Sequence, residues 1–177
     1  MQSRSLGLLL GMLVLTSTLS AADVVETAAA RGFTTFVAAL EAAGLVGTLK
    51  GPGPFTVFAP TNEAFAKQQP EMQRLLVSPW SKAKLESIYL YYVVPGKILS
   101  QDLATLDSVP TLAGQSLPFK RWSSELMVKN AHITIHDIEA SNGVIHGIDA
   151  IIFPRPVLQD RSLHSSSGAA PVRLSTR

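Results

Sequence analysis

Cysteine is absent from all 177 residues. Its absence excludes disulfides, a thiolate nucleophile and a lipid-modified N-terminal cysteine, so any folded domain here is held by its hydrophobic core. A membrane-spanning run is missing as well: the apolar stretch Leu6 to Leu15 falls short of the roughly 20 apolar residues that cross a bilayer. No P-loop, H-E-x-x-H or dinucleotide fingerprint occurs, which removes the usual phosphate, zinc and nucleotide sites. Gly114-Gln115-Ser116-Leu117-Pro118 lacks the second glycine of a G-x-S-x-G nucleophile elbow. The sequence thus offers no catalytic residue and no cofactor site, and it carries no internal repeat.

A basic domain is missing too, although the whole-chain balance suggests one. The chain has 15 Lys+Arg against 13 Asp+Glu, with a pI near 9.0. Setting aside Arg4, Arg155, Arg161, Arg173 and Arg177 leaves 10 basic residues, and setting aside Asp160 leaves 12 acidic ones. The middle of the chain is mildly acidic, and its charge gives no support to nucleic-acid binding.

What is present begins with Met1 to Ala22: a basic residue at Arg4, a short apolar run, and a small-residue end at Ser20-Ala21-Ala22. This pattern predicts a secretory signal peptide cleaved before Asp23, with an uncleaved anchor as the alternative. The expected location is therefore secreted, either periplasmic or extracellular. At the other end, residues 155–177 contain Ser165-Ser166-Ser167-Gly168 and little apolar periodicity, which reads as a disordered tail. Residues 23–154 remain as one domain, long enough to bury a core without disulfides.

The domain is organised around Phe55 to Lys67, FTVFAPTNEAFAK. Phe55, Val57 and Phe58 running into Pro60 read as a short buried strand. Thr61 then caps a helix in which Glu63 favours the positive end and Phe65 turns inward. Upstream, Asp23-Val24-Val25-Glu26 has capping-box spacing, and Phe33, Phe36, Val37 and Leu40 form a helical stripe that stops at Gly44. Gly51-Pro52-Gly53-Pro54 is a turn. Downstream, Ser78-Pro79 opens a helix carrying Leu85, Ile88, Tyr89 and Tyr92, with a strand over Tyr91 to Val94 as an alternative reading. Pro95-Gly96 turns the chain, and Ser100 caps a short helix through Leu106.

From Leu112 the pattern changes to strands. Leu117 to Lys120, Glu125 to Val128 and Ala131 to Ile138 are short runs, the last with Ile133 and Ile135 on a buried face opposite His132, Thr134 and His136. Asn142-Gly143 marks a hairpin before the apolar run Val144 to Phe153. Helices first and strands later predict an α+β fold.

Four stretches in this order resemble the fasciclin (FAS1) domain: Phe33 to Leu45, Phe55 to Lys67, Tyr91 to Leu103 and Asn142 to Pro154. The resemblance covers the whole presumed domain and implies a β-sandwich wedge with helices at its N-terminal side. Its framework positions here are Phe55, Phe58, Pro60, Thr61, Asn62, Phe65, Pro95, Gly96, Asn142, Gly143, His146 and Asp149. It implies a non-enzymatic module for cell adhesion or for protein and matrix contact, whose partners are cell-surface or extracellular proteins or polysaccharides, or copies of itself. A carrier for a small apolar ligand such as a lipid is the alternative, suggested by an apolar-rich helical half with Phe33, Phe36, Leu40, Leu45 and the tyrosines. The sequence departs from the family pattern at Tyr92, commonly His; at Gly147, often Val; and at Lys129-Asn130, usually Asn-Gly.

The resemblance also marks candidate contact residues, Tyr91 and Tyr92 in one segment and Asp137 and Ile138 in another. Each has a plainer reading. Tyr92 completes the helical stripe and belongs to the core, while Asp137 is a solvated strand end beside a buried Ile138. No metal site is expected. Residues four apart on a strand lie about 13 Å apart, and zinc ligands sit about 2 Å from the ion, so His132 and His136 cannot share one. His146 lacks a third ligand and reads as a hydrogen-bonded residue near the core.

Overall fold

A computed structural model describes residues 22–78, 82–122 and 125–155. The expected leader up to Ala21, the helix start at Pro79 and the tail beyond Arg155 lie outside these residues. The elements run α1 (Val24–Ala30), α2 (Thr34–Ala43), α3 (Val46–Leu49), β1 (Phe55–Pro60), α4 (Asn62–Ala66), α5 (Pro70–Leu76), α6 (Lys82–Leu90), β2 (Val93–Pro95) and α7 (Ser100–Leu103). They continue as β3 (Ser108–Pro110), β4 (Ser116–Trp122), β5 (Glu125–Val128), β6 (Ala131–Ala140) and β7 (Gly143–Ile148).

The helix ends follow from local chemistry. Asp23 Oδ1 accepts the amides of Val25 and Glu26 at 2.8 and 2.9 Å, capping α1. The return arm of the expected capping box is not made, because Glu26 pairs instead with Lys50 at 2.9 Å. Gly44 ends α2 with φ of 74°, a left-handed conformation that favours glycine. Thr61 Oγ1 accepts from Ala64 N at 3.2 Å and caps α4 as its sequence predicts.

The seven strands of the described residues form one sheet in the order β2-β1-β7-β6-β5-β4-β3. β1 lies parallel to β7 and antiparallel to β2, whereas the remaining neighbours are antiparallel. β1 is buried on both faces from Thr56 to Pro60, since α1 and α4 pack against it and Phe58 packs on Phe119 of β4. α1 packs on β1, β6 and β7, and α2 packs on α6, so helices cover one side. The sheet curls until its two edges meet: Leu112 N, just after β3, donates to Val93 O of β2 at 2.8 Å. Inside the curl, Phe58 of β1 reaches Phe119 of β4 with ring centroids 5.6 Å apart. The fold is α+β, a helix-backed and nearly closed sheet.

Several expectations are corrected. The last short helix stops at Leu103, leaving Leu106 exposed. Ser100 is its first helical residue rather than its cap, which is Leu99. The apolar run after the hairpin is a strand only to Ile148, where the chain bends at Asp149. Ile135 is 41% exposed instead of buried, because register shifts on either side of it bulge β6 outward. The hairpin turn is Ser141-Asn142, one residue earlier than predicted, and Gly143 is already paired strand. A Cβ on Gly143 would stand 2.1 Å from Phe55 O, so glycine there permits the close β1–β7 approach.

Candidate functional site

The four candidate contact residues occupy two separate corners. At the first, α6 ends and the chain turns through Tyr91 and Tyr92 into β2. Both side chains point inward, and the core placement considered for Tyr92 is the one observed, at 0% exposure. Its hydroxyl donates to Ile152 O at 2.6 Å and accepts Ile152 N at 2.9 Å. Its ring lies 6.0 Å from Phe36 and 5.7 Å from Tyr89. Tyr89 donates to Leu76 O at 2.7 Å. Burial pushes the Tyr89 and Tyr92 hydroxyls well above the ordinary tyrosine range, so both remain protonated donors. Tyr91 is also buried, with Lys129 Nζ 5.3 Å from its ring centroid. Neither tyrosine offers an exposed ring.

At the second corner, the bulge of β6 places Asp137 at φ 54° and turns its carboxylate toward α7. Asp137 accepts the amide of Ser100 at 2.8 Å and its hydroxyl at 2.5 Å. Burial pushes this carboxyl up, but the two bonds from Ser100 and the nearby His146 and His136 outweigh it and leave the group below its ordinary value. Ile138 is buried, as the plainer reading has it. Asp137 is only half-exposed and engaged by Ser100, so a freely solvated strand end is not what stands there.

His146 lies beneath this corner on β7, fully buried and stacked on Phe58 with centroids 5.5 Å apart. Asp137 N approaches its Nδ1 at 3.3 Å and can only donate, so Nδ1 is the unprotonated nitrogen. Nε2 then carries the proton and donates to Ile98 O at 3.0 Å. The 4.0 Å approach of Nδ1 to Asp137 Oδ1 is consequently no ion pair while the ring is neutral. Burial lowers the His146 pKa despite the Ile98 carbonyl and the Asp137 charge, which favour the proton. Ser100, Asp137 and His146 together resemble a hydrolytic set in composition alone. The serine donates to the carboxylate instead of to the imidazole, and both imidazole nitrogens are committed to backbone, so no base activates the hydroxyl.

Asn142 joins more of the chain than its place in a turn suggests. Its Oδ1 accepts Val24 N at 2.9 Å, and its Nδ2 donates to Leu49 O and Gly51 O at 2.7 and 3.0 Å. Asn62 similarly ties α4 to α2, accepting Thr35 N and donating to Thr34 Oγ1, both at 3.0 Å. Asp149 accepts His132 N at 2.8 Å and stitches the end of β7 to β6. Gly96, with φ of 104°, offers its carbonyl to the buried Thr56 hydroxyl at 2.6 Å. These framework residues hold elements together. Among the described residues, no group of three His, Asp or Glu side chains is placed to hold a metal ion. Phe33, Phe36, Leu40, Leu45 and the tyrosines, which suggested a carrier, are buried in the core at 2% exposure or less.

Residues 31–154 match the family model described as the Fasciclin domain, in a chain whose helices back a curled sheet. The chain belongs to the fasciclin domain family. A FAS1 domain pair from the insect cell adhesion molecule Fasciclin I has a similar fold, with a TM-score of 0.67 and 16% identity. That match covers 75% of this chain and 51% of the insect structure, about half its length. In sequence, this FAS1 chain is 46% identical over 136 residues to Protein sll1483 of Synechocystis sp., covering 76% of this chain and 75% of that protein. It is also 33% identical over 135 residues to human periostin, covering 74% of this chain but 16% of periostin.

Proposed function

We propose that this protein is an exported, non-enzymatic contact module that attaches to cell-surface or extracellular material. Membership of the fasciclin family carries this reading, since the similar insect structure comes from a cell adhesion molecule. The leader-like Met1 to Ala22 supports export to the periplasm or beyond. No helix among the described residues is long and apolar enough to cross a membrane. Of the two candidate corners, the one at Asp137 is the better surface. Its bulge brings Ile135 and His136 outward beside a carboxylate already oriented by Ser100, whereas Tyr91, Tyr92 and Ile138 are buried.

The experiment is capture. Immobilised mature chain is exposed to cells and to envelope or matrix fractions, with a heat-unfolded surface as control. Retention above control is expected, together with reduced retention after Ile135→Asp on the bulge. Equal retention on folded and unfolded surfaces overturns the reading.

A further inference from the structure

The outer side of β4 lines a groove whose charge is all of one sign. Along Ser116-Leu117-Pro118-Phe119-Lys120 successive side chains alternate, and Leu117 and Phe119 turn into the core. Ser116 and Lys120 therefore face outward, into an open cleft of about 730 Å³ shared with Ser108, Gln115, Lys129 and Arg155. Among the described residues, no carboxylate lines it, and none lies within ion-pair distance of its three cations. This cationic concentration sits on a domain that is acidic as a whole.

One cation is held in place and a second is anchored through its backbone. Lys129 Nζ donates to Phe153 O and rests against the Tyr91 ring. The backbone of Arg155 is clamped by one carboxamide: Arg155 N donates to Gln115 Oε1 at 3.0 Å, and Gln115 Nε2 donates to Arg155 O at 3.2 Å. Burial lowers the Lys129 pKa, and the neighbouring Arg155 charge lowers it further. Like charges positioned together in a cleft focus a field that a bound anion relieves. The chemistry of the remaining lining narrows the anion. Serine hydroxyls, a carboxamide and the half-buried Pro118 share the lining with the cations, and among the described residues no large exposed aromatic or aliphatic side chain of the kind that centres a protein interface joins them, the Tyr91 ring being covered.

We propose that this groove binds an acidic polysaccharide, its carboxylates meeting Lys120, Lys129 and Arg155 and its hydroxyls meeting Ser108, Gln115 and Ser116. The proposal rests on the contact-module reading and names its partner class. Calorimetry of the full mature chain with a short oligogalacturonate tests it. Binding is expected that weakens as salt rises, since exposed charges are screened over about 8 Å at physiological ionic strength. The K120Q/K129Q/R155Q variant is expected to bind about tenfold more weakly or worse. K120Q/R155Q, which spares the Tyr91 contact, should show most of the same loss at unchanged melting temperature.

Absent binding, or equal binding by wild type and variants, overturns the proposal. So does tighter binding of polyglutamate, which would make the partner an acidic protein segment. Free galacturonate or phosphate binding as tightly as the oligomer would reduce the groove to a small-anion site and overturn it too. Loss on replacing Arg161, Arg173 and Arg177 alone would move the site to the tail. Undiminished capture of envelope material by the groove variant would sink this proposal while leaving the contact-module reading standing.

Discussion

At the residue scale, Tyr92 shows how a departure from a family pattern is absorbed. The fasciclin family commonly has histidine there, and this chain places a phenol whose single hydroxyl satisfies both the N–H and the C=O of Ile152. Removing that oxygen leaves two buried backbone groups without partners, each an unmet desolvation cost. Tyr92→Phe is therefore expected to lower unfolding free energy by about 1–3 kcal/mol in urea titration, with a native-like spectrum. An unchanged midpoint would mean that water reaches Ile152. Gly147 is a second departure of the same kind. A Cβ there would come within 3.0 Å of both Ile135 and Phe33, so glycine makes room for the packing of Phe33 beneath the bulge.

At the element scale, the β6 bulge, α7 and β7 are joined through Asp137, Ser100 and His146, and this joint has a pH dependence whose sign can be fixed. His146 has a folded pKa below its ordinary 6.5. The unfolded chain therefore takes up the proton more readily, and this group's contribution is complete above 6.5 and lost as pH falls below it. Asp137 has a folded pKa below its ordinary 3.8, so its contribution is present above 3.8 and is lost at still lower pH. Melting temperature is expected to decline as pH falls from 7 through 5 (roughly the window for a histidine), and His146→Gln should flatten that decline whatever its absolute stability. A wild-type profile that is flat over this range would contradict the buried neutral imidazole.

The same elements show what local sequence can disclose. The stripe of Phe33, Phe36 and Leu40 and the cap at Thr61 are short-range signals, and both were legible. α5 was not, although Pro70 stands at its first position, because Met72 and Leu75 face outward and leave no apolar stripe toward the core. β3 is a three-residue edge with one buried side chain, too brief to show a period. The parallel β1–β7 pairing joins residues far apart in the chain, and no local pattern encodes it. At the candidate site the buried character of Ile138 and His146 was legible. The carboxylate bond from Asp137 to Ser100 was not, because it depends on a bulge that shifts the strand register.

At the scale of the whole molecule, the N-terminal junction is stitched to the far end of the domain. Ala22 O accepts the amide of Ser141 in the β6–β7 turn at 2.9 Å and the hydroxyl of Thr27 at 3.2 Å. Two residues on, Val24 N donates to Asn142 in the same turn. Cleavage before Asp23, which the leader pattern predicts, removes the Ala22 carbonyl from this seam. It also places an ammonium at the cap of α1, where the helix dipole is positive and only Asp23 and Glu26 offset it. A chain beginning at Ala22 is expected to be more stable than one beginning at Asp23 by about 0.5–1.5 kcal/mol, the low end reflecting an exposed junction. Paired thermal melts of the two chains, with the intact mass of exported protein to show which one is made, check this. Equal melting temperatures would mean that water replaces the Ala22 carbonyl without loss. A natural terminus at Ala22 or earlier would instead place the processing site where the seam is kept whole.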